Sequence, residues 1–256
     1  MLQELLAGAL SDAEQRLLTR PLASVEASAR AHAPALDALA ALAPTDRVKI
    51  LAEIKRSSPS RGSLAAISDP AALAVSYETG GASAISVLTE GRRFHGSLTD
   101  LEQVRAAVSI PILRKDFIGT PYQVFEARAA GADLVLLIVA ALDQVTLVSL
   151  HDLIRELGMT ALVETHSGDE VSRALDIGAN LVGVNARNLS TFELDQNLFG
   201  ALADKIPSGV IRVAESAVKT AADVAHYRAA GADVVLVGEA LVTSDPIRTL
   251  SEFLAV

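Results

Sequence analysis

Residues 130–138 read AGADLVLLI, and the same pattern recurs three times: GGASAISVL at 80–88, IGANLVGVN at 177–185 and AGADVVLVG at 230–238. Each copy follows an alanine-rich helical pattern, passes through Gly-Ala and a small or polar residue, and runs into consecutive apolar residues. Glycine just past a helix closes it in a left-handed conformation. A short apolar run bounded in that way is a strand buried on both faces, as in a parallel sheet. The Gly-Ala pairs begin at 81, 131, 178 and 231, spaced 50, 47 and 53 residues apart. That spacing is about twice one strand–helix unit, so a second strand belongs in each interval.

One is found in each: VKILAEIK at 48–55, IPILRK at 110–115, TALVET at 160–165 and VIRVAES at 210–216. Helical patterns fall near 70–80, 97–108, 120–130, 143–158, 168–178, 197–205, 219–230 and 246–254. Eight strand–helix units in about 200 residues predict an α/β fold, a (β/α)8 TIM barrel. An open, doubly wound sheet is the alternative, but a regular fourfold echo suits closure better. Residues 1–47 precede the first strand and are expected as an N-terminal helical extension packed on the barrel, with a break near APTDR at 43–47. The expectation is one barrel domain over 1–256.

Composition narrows the function. The chain has 22 basic and 31 acidic residues, a net charge of −9, no cysteine and no tryptophan. Disulfides and thiolate chemistry are excluded. The acidic balance and 4% aromatic content argue against nucleic-acid partners. No apolar run approaches the length of a membrane span, and the amphipathic start MLQELLAGAL is unlike a signal peptide. A cytoplasmic protein is expected, with no membrane partner, as a monomer or weak homo-oligomer. An anionic small molecule stays open as substrate, because the field inside a cleft outweighs the total charge.

Barrel chemistry sits at the C-terminal ends of the strands, and unusual polar residues collect there. Glu53 and Lys55 end the first strand, Lys115 the third, Glu164 the fifth, Asn185 and Arg187 the sixth, Glu215 and Ser216 the seventh, and Gly238 and Glu239 the eighth. Residues i and i+2 of a strand share a face, so Glu53 and Lys55 leave theirs side by side. Any one of these charges is explained by a strand meeting water. Two lysines, three carboxylates and an asparagine on one rim are better explained by acid–base chemistry among groups whose pKa values shift one another. The segments AESAVKT and VGEALVTSDP, after strands seven and eight, offer backbone N–H groups to a phosphate. SSPSRG after strand one adds hydroxyls and a basic residue, although Ser, Pro and Gly also serve ordinary turns. Phe94 and Phe117 lie just past strands two and three, placed to wall an aromatic pocket. The five histidines show no metal-ligand spacing, and no GxGxxG or P-loop is present. His95 is the one histidine read as near the rim, with core or surface roles more common for such a residue.

Read together, AEIKRSSPSRG, SVLTE, RFHGS, PILRKDF, PYQVFEARAAGADLVLLIVAAL, LVETH, GVNARNL and VLVGEALV resemble, in order and in spacing, the indole-3-glycerol phosphate synthase family of tryptophan biosynthesis. The resemblance runs from about residue 48 to the end, and more loosely through the N-terminal segment. It implies a lyase that closes, decarboxylates and dehydrates 1-(2-carboxyphenylamino)-1-deoxyribulose 5-phosphate to indole-3-glycerol phosphate, with no cofactor and no metal. It assigns Lys115 as general acid in ring closure, and Lys55 as a partner of the substrate and second candidate donor. Glu164 stabilises positive charge or moves protons, and Glu53 and Asn185 hold hydroxyls and assist dehydration. Glu215 orients a lysine and Ser216 lies by the phosphate. Ser58 and Arg187 face the anthranilate carboxylate. Phe94, Phe117, Leu136 and Leu189 line the ring pocket. The backbone at Ala217, Gly238 and Glu239 meets the phosphate.

Two departures stand out. The chain reads ESA where members usually read ESG, placing Ala217 at the glycine position, and NAR where many read NNR. Alanine adopts positive φ less readily than glycine, so phosphate binding weakens if position 217 needs a left-handed backbone. Other readings compatible with the rim are a sugar-phosphate isomerase, a Schiff-base aldolase using Lys55 or Lys115, or a ligand-binding barrel without turnover.

Overall fold

A computed structural model describes residues 1–58, 62–188, 191 and 193–256. Eight strands close into a parallel barrel: β1 (Lys49–Ile54), β2 (Ala84–Leu88), β3 (Ile112–Lys115), β4 (Leu134–Ile138), β5 (Thr160–Thr165), β6 (Leu181–Asn185), β7 (Ile211–Glu215) and β8 (Val234–Val237). Each pairs with its neighbours in sequence, and β8 pairs with β1. The helices are α1 (Leu2–Thr19), α2 (Leu22–Ala31), α3 (Ala38–Leu42), α4 (Pro70–Thr79), α5 (Leu98–Ala107), α6 (Pro121–Ala129), α7 (Gln144–Glu156), α8 (Gly168–Asp176), α9 (Leu198–Ala203), α10 (Ala221–Ala229), α11 (Glu239–Val242) and α12 (Pro246–Leu254). Closure, rather than the open sheet, is what the sequence pattern predicted. The four echoing glycines, Gly81, Gly131, Gly178 and Gly231, have φ of 96°, 92°, 75° and 94°. They turn the chain from helix into strand, where a Cβ would be strained.

Strand residues divide by alternation into two cores. Ile50, Ala52, Ile54, Ile85, Val87, Ile112, Val135, Leu137, Val163, Val182, Val184, Val235 and Val237 pack outward against the helices. Leu51, Ala84, Leu113, Leu134, Leu136, Leu162, Leu181, Val213, Val234 and Leu236 fill the barrel interior. Burial on both faces explains why these strands read as continuous apolar runs rather than alternating ones. Continuing the inward set toward the C-terminal ends gives Glu53, Lys55, Lys115, Glu164, Asn185, Glu215 and Gly238. The rim is therefore set by the same alternation that builds the core.

The N-terminal extension straps the barrel from one end to the other. On α1, Arg16 bonds Glu126 of α6 at 2.5 and 2.8 Å, and Asp12 pairs with Arg92 beyond β2. Both contacts hold α1 over the C-terminal rim. The next helix, α2, packs along α6. Leu36 N then bonds Asp133, which also accepts from Ile112 N at the start of β3. Ala38 and Leu42 of α3 join the interior core, closing the opposite end of the barrel. An Asp37 side chain caps α3.

Candidate active site

Beyond β1 the chain forms a small hairpin, Ser57–Ser58 against Gly62–Ser63. Arg56 is fixed at its base by Asp100 at 2.5 and 3.0 Å. After β2, the Glu90 carboxylate accepts the N–H groups of Arg92, Arg93 and Phe94, which folds that loop and sets Phe94 over the rim. After β3, Asp116 accepts Phe117 N at 2.8 Å and is itself held by Thr89 and by buried Arg114. The two phenyl rings lie 6.2 Å apart at 40°. A cavity of about 500 Å³ opens between these loops at the C-terminal end of the barrel.

Its walls bring together Glu53, Lys55, Ser58, Phe94, Lys115, Phe117, Leu136, Glu164, Asn185, Arg187, Glu215, Ser216, Ala217, Gly238 and Glu239. Every sequence-predicted residue among those described is present; Leu189 lies outside the described residues. His95 is exposed and does not line the cavity. Eight lining residues were not anticipated. Leu5 comes from α1, Asp116 follows Lys115, Leu194 comes from the loop after β6, Val218 and Lys219 from the loop after β7, and Leu88, Ile138 and Leu236 from β2, β4 and β8.

Lys115 is the hub. Its Nζ lies 3.3 Å from Glu164 Oε2 and 3.4 Å from Glu215 Oε2. Burial alone would lower its pKa, but Glu164, Glu215 and Glu53 together outweigh that, and the ammonium is held above the ordinary lysine value. Two buried carboxyl groups this close to one cation do not ionise equally. Burial and the Glu164 charge push Glu215 well above the carboxylate range, with Lys115 opposing. Glu164 is also penalised by burial, yet Lys115 and His166 overcome it and hold it below its usual value. The two carboxyl groups around this ammonium are therefore pushed in opposite directions, Glu164 down and Glu215 up. Opposite them, Lys55 Nζ pairs with Glu53 Oε1 at 2.5 Å, so the two neighbours on β1 do face each other.

Asn185 Oδ1 accepts from Ser216 Oγ at 2.8 Å and from Arg187 N at 3.0 Å, tying the ends of β6 and β7. Ser216 and Ala217 both have left-handed backbones, φ 71° and 64°. Both residues line the cavity with Lys219 and the Gly238–Glu239 start of α11, and position 217 does adopt the conformation that favours glycine. Two glycines make room for the carboxylates. A Cβ on Gly183 would collide with Glu215 Oε1, and one on Gly238 would meet Glu53 Oε1. Tyr77 and Tyr227 donate to the carbonyls of Glu53 and Ser216, fixing β1 and the β7 end from outside the barrel.

The family model for indole-3-glycerol phosphate synthase matches residues 2–252. The chain belongs to the indole-3-glycerol phosphate synthase family. It is 76% identical over 253 residues to the indole-3-glycerol phosphate synthase of Leifsonia xyli subsp. xyli, covering 99% of this chain and 97% of that protein. The synthase of Mycobacteroides abscessus is 58% identical, over 96% of this chain and 90% of its own. Among solved structures, a thiamine phosphate pyrophosphorylase from Pyrococcus furiosus superposes with a TM-score of 0.60 at 14% identity, over 80% of this chain and 93% of that one. An N-acetylmannosamine-6-phosphate 2-epimerase from Clostridium perfringens does so with a TM-score of 0.60 at 14% identity, over 85% and 95%. These two likenesses establish the barrel alone.

Proposed function

We propose that the rim residues carry out the family reaction by acid–base catalysis, with Lys115 as the proton donor in ring closure. The enzyme is a carboxy-lyase of tryptophan biosynthesis, forming indole-3-glycerol phosphate, carbon dioxide and water from 1-(2-carboxyphenylamino)-1-deoxyribulose 5-phosphate. The aromatic carbon bearing the carboxylate attacks the ribulose carbonyl, and the carbonyl oxygen takes a proton. The carboxylate then leaves as carbon dioxide. The new hydroxyl leaves as water, and a proton is lost to restore the aromatic system.

The observation that carries the assignment is the Lys115 Nζ at the cavity, 3.3 Å from Glu164 and 3.4 Å from Glu215, carboxyl groups that raise its pKa. Positive charge develops on the substrate's nitrogen and ring as the carbon attacks, and the Glu164 carboxylate stabilises it without rearranging. Lys55 and Glu53, joined at 2.5 Å, hold the sugar hydroxyls and supply and remove protons in dehydration, with Asn185. Glu215, 3.4 Å from its Nζ, holds Lys115 in place. Phe94, Phe117 and Leu136 clasp the anthranilate ring, while Arg187 and Ser58 face its carboxylate. Phosphate sits at the backbone of Ser216, Ala217, Gly238 and Glu239. A Schiff base at Lys115 needs a neutral amine, and the carboxyl groups around it raise its pKa instead.

Fluorescence of the indole product tests the reading. Turnover is expected for the wild type, and Lys115→Ala should lower kcat by about 10²–10⁴-fold. Near-normal turnover in the variant would move proton donation to another group. Reductive trapping of a lysine adduct by borohydride would favour an aldolase instead.

A further inference from the structure

The two carboxyl groups beside Lys115 are nearly equivalent in burial and in distance to its ammonium, yet their surroundings shift Glu164 down and Glu215 up. Something outside the pair has to break the symmetry. Glu215 has no further cation against it among the described residues that the structure pairs with it. Glu164 has one: His166, two residues on along the same face of the chain, with Nε2 3.4 Å from Glu164 Oε1. Neither of those two atoms forms a hydrogen bond with any other group, and both are buried. They face each other at ion-pair distance.

The other ring nitrogen is equally committed. Nδ1 lies 3.2 Å from Glu170 Oε2, and the same oxygen accepts His166 N at 2.8 Å. Glu170 is in the first turn of α8, whose N-terminus Ser167 caps. A neutral imidazole carries one N–H and one lone pair. Whichever tautomer it took, the lone pair would point at a carboxylate. Only the imidazolium, with a proton on each nitrogen, satisfies both sides. The charged groups that act on the ring are Glu170 of α8, Glu164 of β5 and, with opposite sign, Lys115 of β3. Burial lowers the pKa of His166, but the two glutamates outweigh burial and Lys115 and raise it above the ordinary histidine value.

We propose that His166 is a positioning residue for the reaction, whose imidazolium, braced by Glu170, fixes Glu164 as the ionised carboxylate and leaves the shared proton on Glu215. His166 does not line the cavity and so touches no substrate; it acts through Glu164. The inference rests on the proposed role of Glu164. Its consequence is a division of labour around Lys115. With the proton on Glu215, the donor ammonium faces a carboxylate on the side where substrate charge develops. Without the imidazolium, the proton would be shared between the two carboxyls, and Glu164 would lose its charge as pH falls.

A cation next to a carboxylate lowers its pKa. Removing that cation raises the pKa of Glu164, so the acid side of the kcat profile moves to higher pH. His166→Gln keeps a hydrogen-bond donor and removes the charge. It is expected to lower kcat about tenfold on the acid side, the size of one logarithmic unit in a proton equilibrium, with little change in KM and recovery toward wild-type turnover as pH rises. In the wild type, imidazole resonances of His166 followed by NMR should titrate above the ordinary histidine range. In Glu170→Gln, which removes the brace, they should titrate lower.

Three results would overturn the proposal: a His166 titration at or below the ordinary value, a His166→Gln profile displaced equally at every pH, or one superimposable on the wild type. A uniform loss would mark His166 as merely structural. Should Glu164→Gln abolish turnover while His166→Gln leaves the acid side unmoved, the active-site reading stands and the role given to His166 falls. The NMR titration needs only folded protein, so it decides the point even for a variant of low activity.

Discussion

At residue 217 the chain places alanine where φ is +64°, directly after Ser216 at +71°. An L-residue pays about 1–2 kcal/mol to enter that region, and glycine does not. The strain is tolerated because Gln196 bonds the Ala217 carbonyl at 3.0 Å and Tyr227 that of Ser216 at 3.2 Å, which hold the turn in place. Ala217→Gly should therefore raise stability by about 1 kcal/mol, seen as a higher urea midpoint at unchanged slope. Its KM should be no worse than wild type, because the left-handed turn proposed to meet the phosphate is already formed. A lower midpoint would show that the Ala217 methyl packs against the core by more than the strain it imposes. The ESA departure was legible in the sequence; its cost was not, because φ is fixed by the tertiary contacts around the turn. His166 was legible in principle. The alternation that grouped Glu53 with Lys55 also groups Glu164 with His166, but the histidines carry no metal-ligand spacing and so no motif marks the pairing.

At the scale of the strand, β6 shows how a barrel makes room for charge. Its inward positions are Leu181, Gly183 and Asn185: an apolar filler, a gap and a polar rim residue. The gap is occupied by the carboxyl of Glu215 from β7, whose register sets it beside Asn185. Gly183→Ala should leave the barrel folded, since the colliding atom is the end of a side chain rather than backbone. It should displace Glu215 and with it the ammonium of Lys115. Misplacement by about 1 Å of a group that orders a catalytic side chain costs on the order of 10²-fold in rate. Measured kcat, with circular dichroism unchanged, checks this; a kcat within twofold of wild type would mean that Glu215 does not position Lys115. Strand existence and order were readable from apolar runs and repeated glycines. The inward gap was not, because a glycine within a run that also repeats glycine at its turns carries no local mark of what fills the space.

Across the whole molecule, the two ends of the barrel do different work. The C-terminal end carries the cavity and its charges, crossed by α1 through Arg16–Glu126 and Asp12–Arg92. The opposite end is closed by α3, whose Leu42 is fully buried and joins Leu51, Ala84, Leu134 and Leu181 in one interior core. The sequence placed residues 1–47 on the barrel as helices, but not which end each helix meets. That depends on long-range contacts such as Leu36 N to Asp133, which no local pattern encodes. The separation predicts that stability and catalysis can be perturbed independently. Leu42→Ala removes a buried side chain from the plug and leaves a cavity, costing about 2–5 kcal/mol of unfolding free energy, read as a lower urea midpoint. The rim groups lie at the far ends of the strands, and β1 is held between them by Tyr77 to Glu53 as well as by its own ladder. At a temperature where the variant is fully folded, its kcat and KM should match the wild type. A change in KM would show that the plug is transmitted through the barrel to the cavity, and that the two ends are mechanically one.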